Sequence, residues 1–277
     1  MRQKREYHYL VAGLPDIVIG QGKVNLKVAD FKNEMREFLH PDDFLLVEML
    51  FLRFDNLNLL NLLQKKDEPW DAMGNYSPEK MAHGLDEQGG GLPNYLPKFA
   101  AAFREGSPIV SSMTWENQLA KLYYEYVLSK TEGFLHEWFT FDRDLKNILT
   151  AISVRRHGLS LSGQLVGKNE VTAAINKSNA RDFGLANEYP FIEKLLKIEE
   201  QPDILERERD IAQLKWDYLE ELNTFNYFTI DNILGFLLKL ISYERWAMLE
   251  PAEGKAIFKE KIASMEHSLE FSKEFEI

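Results

Sequence analysis

The chain of 277 residues contains no cysteine. That excludes disulfides, thiolate metal ligands and a cysteine nucleophile, and it fits a reducing compartment, so a cytoplasmic protein is expected. It also lacks any run approaching the roughly 20 apolar residues of a membrane span. Its opening, MRQKREYHYLVAGLPD, has neither the long apolar region nor the small-residue cleavage site of a signal peptide. The expectation is a chain neither embedded in a membrane nor exported. Positive charge is in deficit: 33 Lys and Arg stand against 44 Asp and Glu, a formal net charge of -11. Such a body repels phosphate backbones and anionic headgroups, which argues against nucleic acid as a partner and against direct membrane insertion.

Signatures of catalysis are missing too. No GxSxG elbow and no GxxxxGK(S/T) phosphate loop occurs, and Gly20-Gln21-Gly22 lacks the third glycine of a dinucleotide fingerprint. The histidines His8, His40, His83, His136, His157 and His267 are scattered, with no two at helical ligand spacing. His136-Glu137 begins a zinc-protease pattern, but Thr140 stands where the second histidine must share the metal. Asp182-Phe183-Gly184 copies the kinase DFG without a glycine-rich loop, strand lysine or HRD loop, and reads as a turn. The run Glu206 to Asp210 spreads around a helix and reads as a solvated face. No catalytic, cofactor or metal residue is therefore assigned.

What is present is the composition of an ordinary folded body, 45% hydrophobic and 28% charged, long enough to bury its own core. The first thirty residues hold three candidate strands, YHYLVA, DIVIG and VNLKV, a small N-terminal β or extended element. Helical signals dominate from Asp30 onward, so the expected class is mainly α. Pro41 opens a helix expected to reach about Arg53, and Ser77-Pro78-Glu79 opens another. Thr114 starts a segment that breaks near Gly133, and a further helix is expected from Asp142 to a stop at Gly158. Gly89-Gly90-Gly91 reads as a loop, and Phe258, Ile262, Met265 and Leu269 form one stripe of a last helix. The aromatic residues of the second half read mostly as core.

The helix FDRDLKNILTAISVRRHG has echoes. A shift of 89 residues lays Asp55, Asn58, Leu59, Leu60 and Leu63 over Asp144, Asn147, Ile148, Leu149 and Ile152. A second equal shift reaches Leu237, Leu238 and Ile241. Acids flank each copy, and Asp55, Asn58, Asp142, Asp144, Asn147 and Asp231 are read as helix-start residues, because a carboxylate complements the exposed N–H groups of a first turn. Arg155 and Arg156 stand at a helix end. Their readings are capping of the last carbonyls or contact with an acidic partner.

The recurrent D-x-x-N of Asp144 to Asn147, followed by Arg155, Arg156 and Gly158, resembles the family of central-stalk subunits of the V-type and A-type ATPases known by the letters C and d. Asp55 to Asn58 is a shorter echo, and Phe228 to Arg245 looks like the last repeat. Tyr7 to Asp16 and Ser178 to Gly184 are similar to a divergent bacterial branch associated with V-type ATPase gene clusters. The first copy departs from the pattern, with Lys65 and Lys66 and no following glycine, and the third lacks D-x-x-N. The resemblance implies one helical body over 1–277, a funnel of three pseudo-repeated bundles at roughly 30–110, 111–200 and 201–277. It implies a non-catalytic structural subunit that couples the central rotor shaft to the membrane proteolipid ring. Its partners would be the shaft subunits and that ring, and its place cytoplasmic, peripheral to the inner membrane. Arg155, Arg156, Arg181, Lys239, Glu244 and Arg245 are the candidate partner-binding residues. Two alternatives stay open: a stand-alone helical adaptor with another partner, and a metal-dependent hydrolase built from dispersed His and Asp.

Overall fold

A computed structural model describes residues 5–18, 24–86 and 90–249. Gly20-Gln21-Gly22, Gly89, His267 and the stripe from Phe258 to Leu269 lie outside the described residues. Eleven helices form among those described, in two compact units.

The smaller unit holds α1 (His8–Ala12), α2 (Val28–Phe38) and α11 (Ile230–Leu249). Helix α11 packs on both others, through Ile233, Leu234, Leu237 and Leu240, all fully buried. Phe31 of α2 meets Phe236 edge-on at 5.2 Å. The expected strands are corrected here. YHYLVA coils into α1, which buries Leu10, and the end of VNLKV enters α2, which buries Val28. Paired extended backbone survives as an isolated antiparallel bridge between Glu6 and Thr229, where the Tyr7 N–H donates to the Phe228 carbonyl at 2.6 Å. Burying one apolar face against α11 outweighs the modest strand preference of Tyr and Val.

The larger unit, Leu39–Tyr227, holds α3 (Pro41–Leu63), α4 (Pro78–Asp86), α5 (Tyr95–Arg104), α6 (Trp115–Lys130), α7 (Gly133–Arg156), α8 (Glu170–Lys177), α9 (Ile192–Glu199) and α10 (Ile204–Asn223). Local chemistry sets these starts. Pro41 occupies the first turn of α3, and the Thr114 hydroxyl accepts from the Asn117 N–H at 3.2 Å. Asn169 and Thr172 close a reciprocal capping box on α8, and the Asp203 carboxylate accepts from Leu205 and Glu206. Helix α7 is the hub, in contact with α6, α8, α9 and α10. Accordingly its buried residues, from Phe134 and Trp138 to Ile148 and Ile152, point several ways, and Phe141 stacks on Tyr218 at 3.8 Å.

Both long helices differ from expectation in one way. Helix α3 runs past Arg53 to Leu63, and α7 begins at Gly133, not at Asp142. Asp55, Asn58, Asp142, Asp144 and Asn147 therefore sit inside helices, and the helix-start reading of all five is corrected. Asp231, in the first turn of α11, is where it was expected. The two helices end alike: Lys65 at φ 54 does after α3 what Gly158 at φ 63 does after α7, turning the chain through the left-handed region.

Gly163 shows how closely the connecting backbones approach. It has φ 74, and a Cβ there would lie 1.7 Å from the Ser112 carbonyl oxygen, whereas a Cβ on Gly158 meets open space. Gly158→Ala should cost about 1–2 kcal/mol, the left-handed penalty alone. Gly163→Ala should cost clearly more, because backbone must also move. Paired thermal melts check this, and equal costs would contradict the packing described.

Candidate functional site

The recurrent acids and amides form a buried, extensively hydrogen-bonded feature of the larger unit. Asp55 and Asn58 lie three residues apart on one face of α3, and Asp144 and Asn147 repeat this on α7. All four are at most 1% exposed. A carboxamide has both a donor and an acceptor, so one Asn side chain can replace a strand neighbour for one residue of passing chain. Asn58 does so for Asp71, donating to its carbonyl at 2.9 Å and accepting its N–H at 2.8 Å. Asn147 does so for Val166, at 2.8 Å in both directions.

The aspartates hold the next residues of the same segments. Asp55 Oδ1 accepts from the N–H groups of Asn75 and Tyr76 at 2.8 and 3.1 Å, and Oδ2 accepts from Asn75 Nδ2 at 2.8 Å. Asp144 Oδ1 accepts from Asn169 Nδ2 at 2.7 Å and from Arg143 Nε at 2.9 Å, and Oδ2 accepts from the Tyr189 hydroxyl at 3.1 Å. Each clamp thus joins a helical Asp to an Asn that lies shortly before the next helix. Burial, with the nearby carboxylate, pushes the Tyr76 and Tyr189 phenols well above their ordinary value, so the Tyr189 hydroxyl stays a neutral donor to Asp144. Gly74 lets the first segment approach: a Cβ there would stand 2.6 Å from Asp55 Oδ1. One further shift of the repeat brings Ile233 and Phe236 to the clamp positions of α11, and these build the core of the smaller unit.

Asp142 has a different task. Its Oδ1 accepts from Lys215 Nζ at 2.6 Å and its Oδ2 from the Tyr124 hydroxyl at 2.8 Å. Burial pushes its carboxyl up, but Lys215, Tyr124 and Arg53 together outweigh that and hold it below the ordinary value. The Tyr124 phenol is raised by burial and by this carboxylate.

The candidate partner-binding residues mostly serve the fold. Arg155 lies over the Phe183 ring, 3.8 Å from its centroid, and donates to the carbonyls of Ser178 and Ala180. Phe183 is 1% exposed at φ 56, and Asp182 accepts the Gly184 N–H at 3.0 Å, so the DFG is a turn locked under Arg155. Arg156 and Arg207 each lie 3.7 Å from one oxygen of Glu199, whose carboxyl burial pushes up while both arginines pull it back. Arg181 pairs with Glu200 on the surface. Lys239, Glu244 and Arg245 lie on α11 in the smaller unit, apart in sequence from the basic residues of α7, and neither Lys239 nor Arg245 is without a partner. Asn75, Asn169 and Tyr189 were missed by sequence reasoning. The available signal was an asparagine just ahead of the short helix in each copy. Among the described residues no group of three His, Asp or Glu side chains converges to hold a metal ion, and no helix is long and apolar enough to cross a membrane.

An aspartate in place of Asn147 or Asn58 keeps the acceptor but sets a carboxylate against a carbonyl oxygen. Asn147→Asp and Asn58→Asp should each cost about 2–4 kcal/mol in denaturant unfolding, and a change under about 0.5 kcal/mol would contradict the clamp. Asp142 has a lowered folded-state value, so its stabilisation is complete above the ordinary carboxylate range and lost as pH falls through the folded value. The stability gap between the wild type and Asp142→Asn should accordingly shrink below about pH 4. A gap that is constant with pH would contradict this.

A family model described as a protein of unknown function (DUF2764) matches residues 4–269. No curated protein and no solved structure matches the chain.

Proposed function

The chain belongs to this family of unknown function, and from that premise we propose that it is a non-catalytic structural subunit of a V-type ATPase or ATP synthase. In this reading it is a cytoplasmic protein, peripheral to the inner membrane, that couples the central rotor shaft to the proteolipid ring. The observation that carries the reading is the double clamp. The D-x-x-N on which the resemblance rests is a built feature whose asparagine bonding and Asp–Asn pairing recur in two copies, not a chance match of aliphatic stripes. A coupler must transmit load without yielding, and these clamps fasten the two longest described helices to the segments that follow them. An acidic body also suits basic loops on neighbouring subunits while avoiding anionic lipid.

Since Arg155 and Arg156 are engaged within the fold, the contacts in this reading fall on exposed apolar side chains of the larger unit. Phe225 is 83% exposed, Tyr227 65% and Leu57 49%. Aromatic side chains supply most of the binding energy at protein interfaces. The test is co-purification of the full chain with shaft and ring subunits. The chain should be retained, and Phe225→Ser with Tyr227→Ser should weaken retention roughly tenfold or more without lowering the melting temperature. A wild-type chain that ignores both shaft and ring would overturn the proposal.

A further inference from the structure

Helix α3 is apolar over more of its circumference than the larger unit covers. Fourteen of its 23 residues are apolar, a pattern that suits a helix enclosed on every side. Its main neighbours are α5 and α6, and it buries Val47, Phe51, Leu52 and Leu59. Leu45 and Leu57 nevertheless stand 54% and 49% exposed, and Leu46, Met49 and Leu60 are partly exposed. At about 100° per residue these five side chains fall within an arc of about 120°. Arg53, also exposed, lies within that arc and halfway along it, with its guanidinium 5.2 Å from the centroid of the Phe54 ring. It is the one charge on this face between Leu45 and Leu60, because helical spacing turns Glu48 and Asp55 to other sides. The stripe is special to this helix. Among the described residues α3 carries three exposed large apolar side chains, counting Leu62 off the stripe, and no other helix has more than one.

A straight stripe about 22 Å long is a surface that a second helix covers, using side chains three and four residues apart as anchors. Arg53 decides which helix. Laying the stripe on that of a second copy in full overlap, parallel or antiparallel, sets two Arg53 side chains against each other. It also brings together two bodies of net charge -11, and like charges so placed repel. We propose that the α3 stripe docks an amphipathic helix of a different protein, one that carries a carboxylate at the centre of its own apolar face. Arginine suits the place, since its stem lies along apolar surface while its planar fork meets a carboxylate with two N–H donors. A lone ion pair in an otherwise apolar seam also fixes register, because sliding the helices by one turn leaves both charges facing aliphatic side chains. The inference goes beyond the coupling role and does not rest on it: the test of that role turns on Phe225 and Tyr227, which lie outside α3.

Two synthetic amphipathic peptides of about 18 residues test the face by fluorescence anisotropy with the full chain. Both carry leucines three and four residues apart on one side. They differ at one central position of that side, which is glutamate in one and lysine in the other. The glutamate peptide should bind saturably, one per chain, and the lysine peptide roughly tenfold or more weakly. Leu57→Ser should weaken the glutamate peptide, Arg53→Gln should abolish the preference between the two, and Arg53→Glu should reverse it. Sedimentation of the chain without peptide should show a monomer. No saturable binding of the glutamate peptide, or a preference that survives Arg53→Gln, overturns the proposal. So does a dimer of the chain that Leu57→Ser dissociates, which assigns the stripe to a second copy.

Discussion

A carboxylate and a carboxamide three residues apart, both buried on one helical face and both bonded to chain that comes later, are the constraint on which the larger unit depends. Apolar contacts tolerate sliding, whereas these bonds do not. Asn58 must meet the two backbone groups of Asp71, and Asn147 those of Val166, or buried polar atoms go unpaired at a cost of a few kcal/mol each. The helices and the segments after them are therefore held as one piece, and irregular backbone gains the specificity that regular structure gets from its own ladder.

The helical class, the starts at Pro41, Pro78 and Thr114, and the stop at Gly158 were legible in the sequence because helix punctuation is local chemistry. The strands expected of YHYLVA and VNLKV did not form, since strand preference in YHYLVA yields when one face is buried on α11. The clamp was half legible. Its recurrence at a fixed shift was visible, but an aspartate that caps a helix and one that grips a distant loop look alike in a string of letters. The difference lay upstream, where Phe134, Leu135, Trp138 and Phe141 continue the apolar pattern ahead of Asp142 and make it an interior residue. The gripped partners were hidden by unequal spacing: Asn75 follows Asp55 by 20 residues, and Asn169 follows Asp144 by 25.

Charge was harder still to read. Arginines at the end of α7 suggested a surface for a partner, yet Arg155 holds the turn at Phe183 and Arg156 faces Glu199. Net charge and local sequence say little about which side chains the tertiary fold brings together.

Native-state hydrogen exchange at the amides of Asp71, Asn75, Tyr76 and Val166 tests the clamp most directly, since each lies in irregular chain outside the helices. If the clamps tie these segments to the core, the four amides exchange as slowly as those at the centres of α3 and α7, through global unfolding. Exchange of all four at rates typical of free loops, while the helix centres remain protected, would contradict the account.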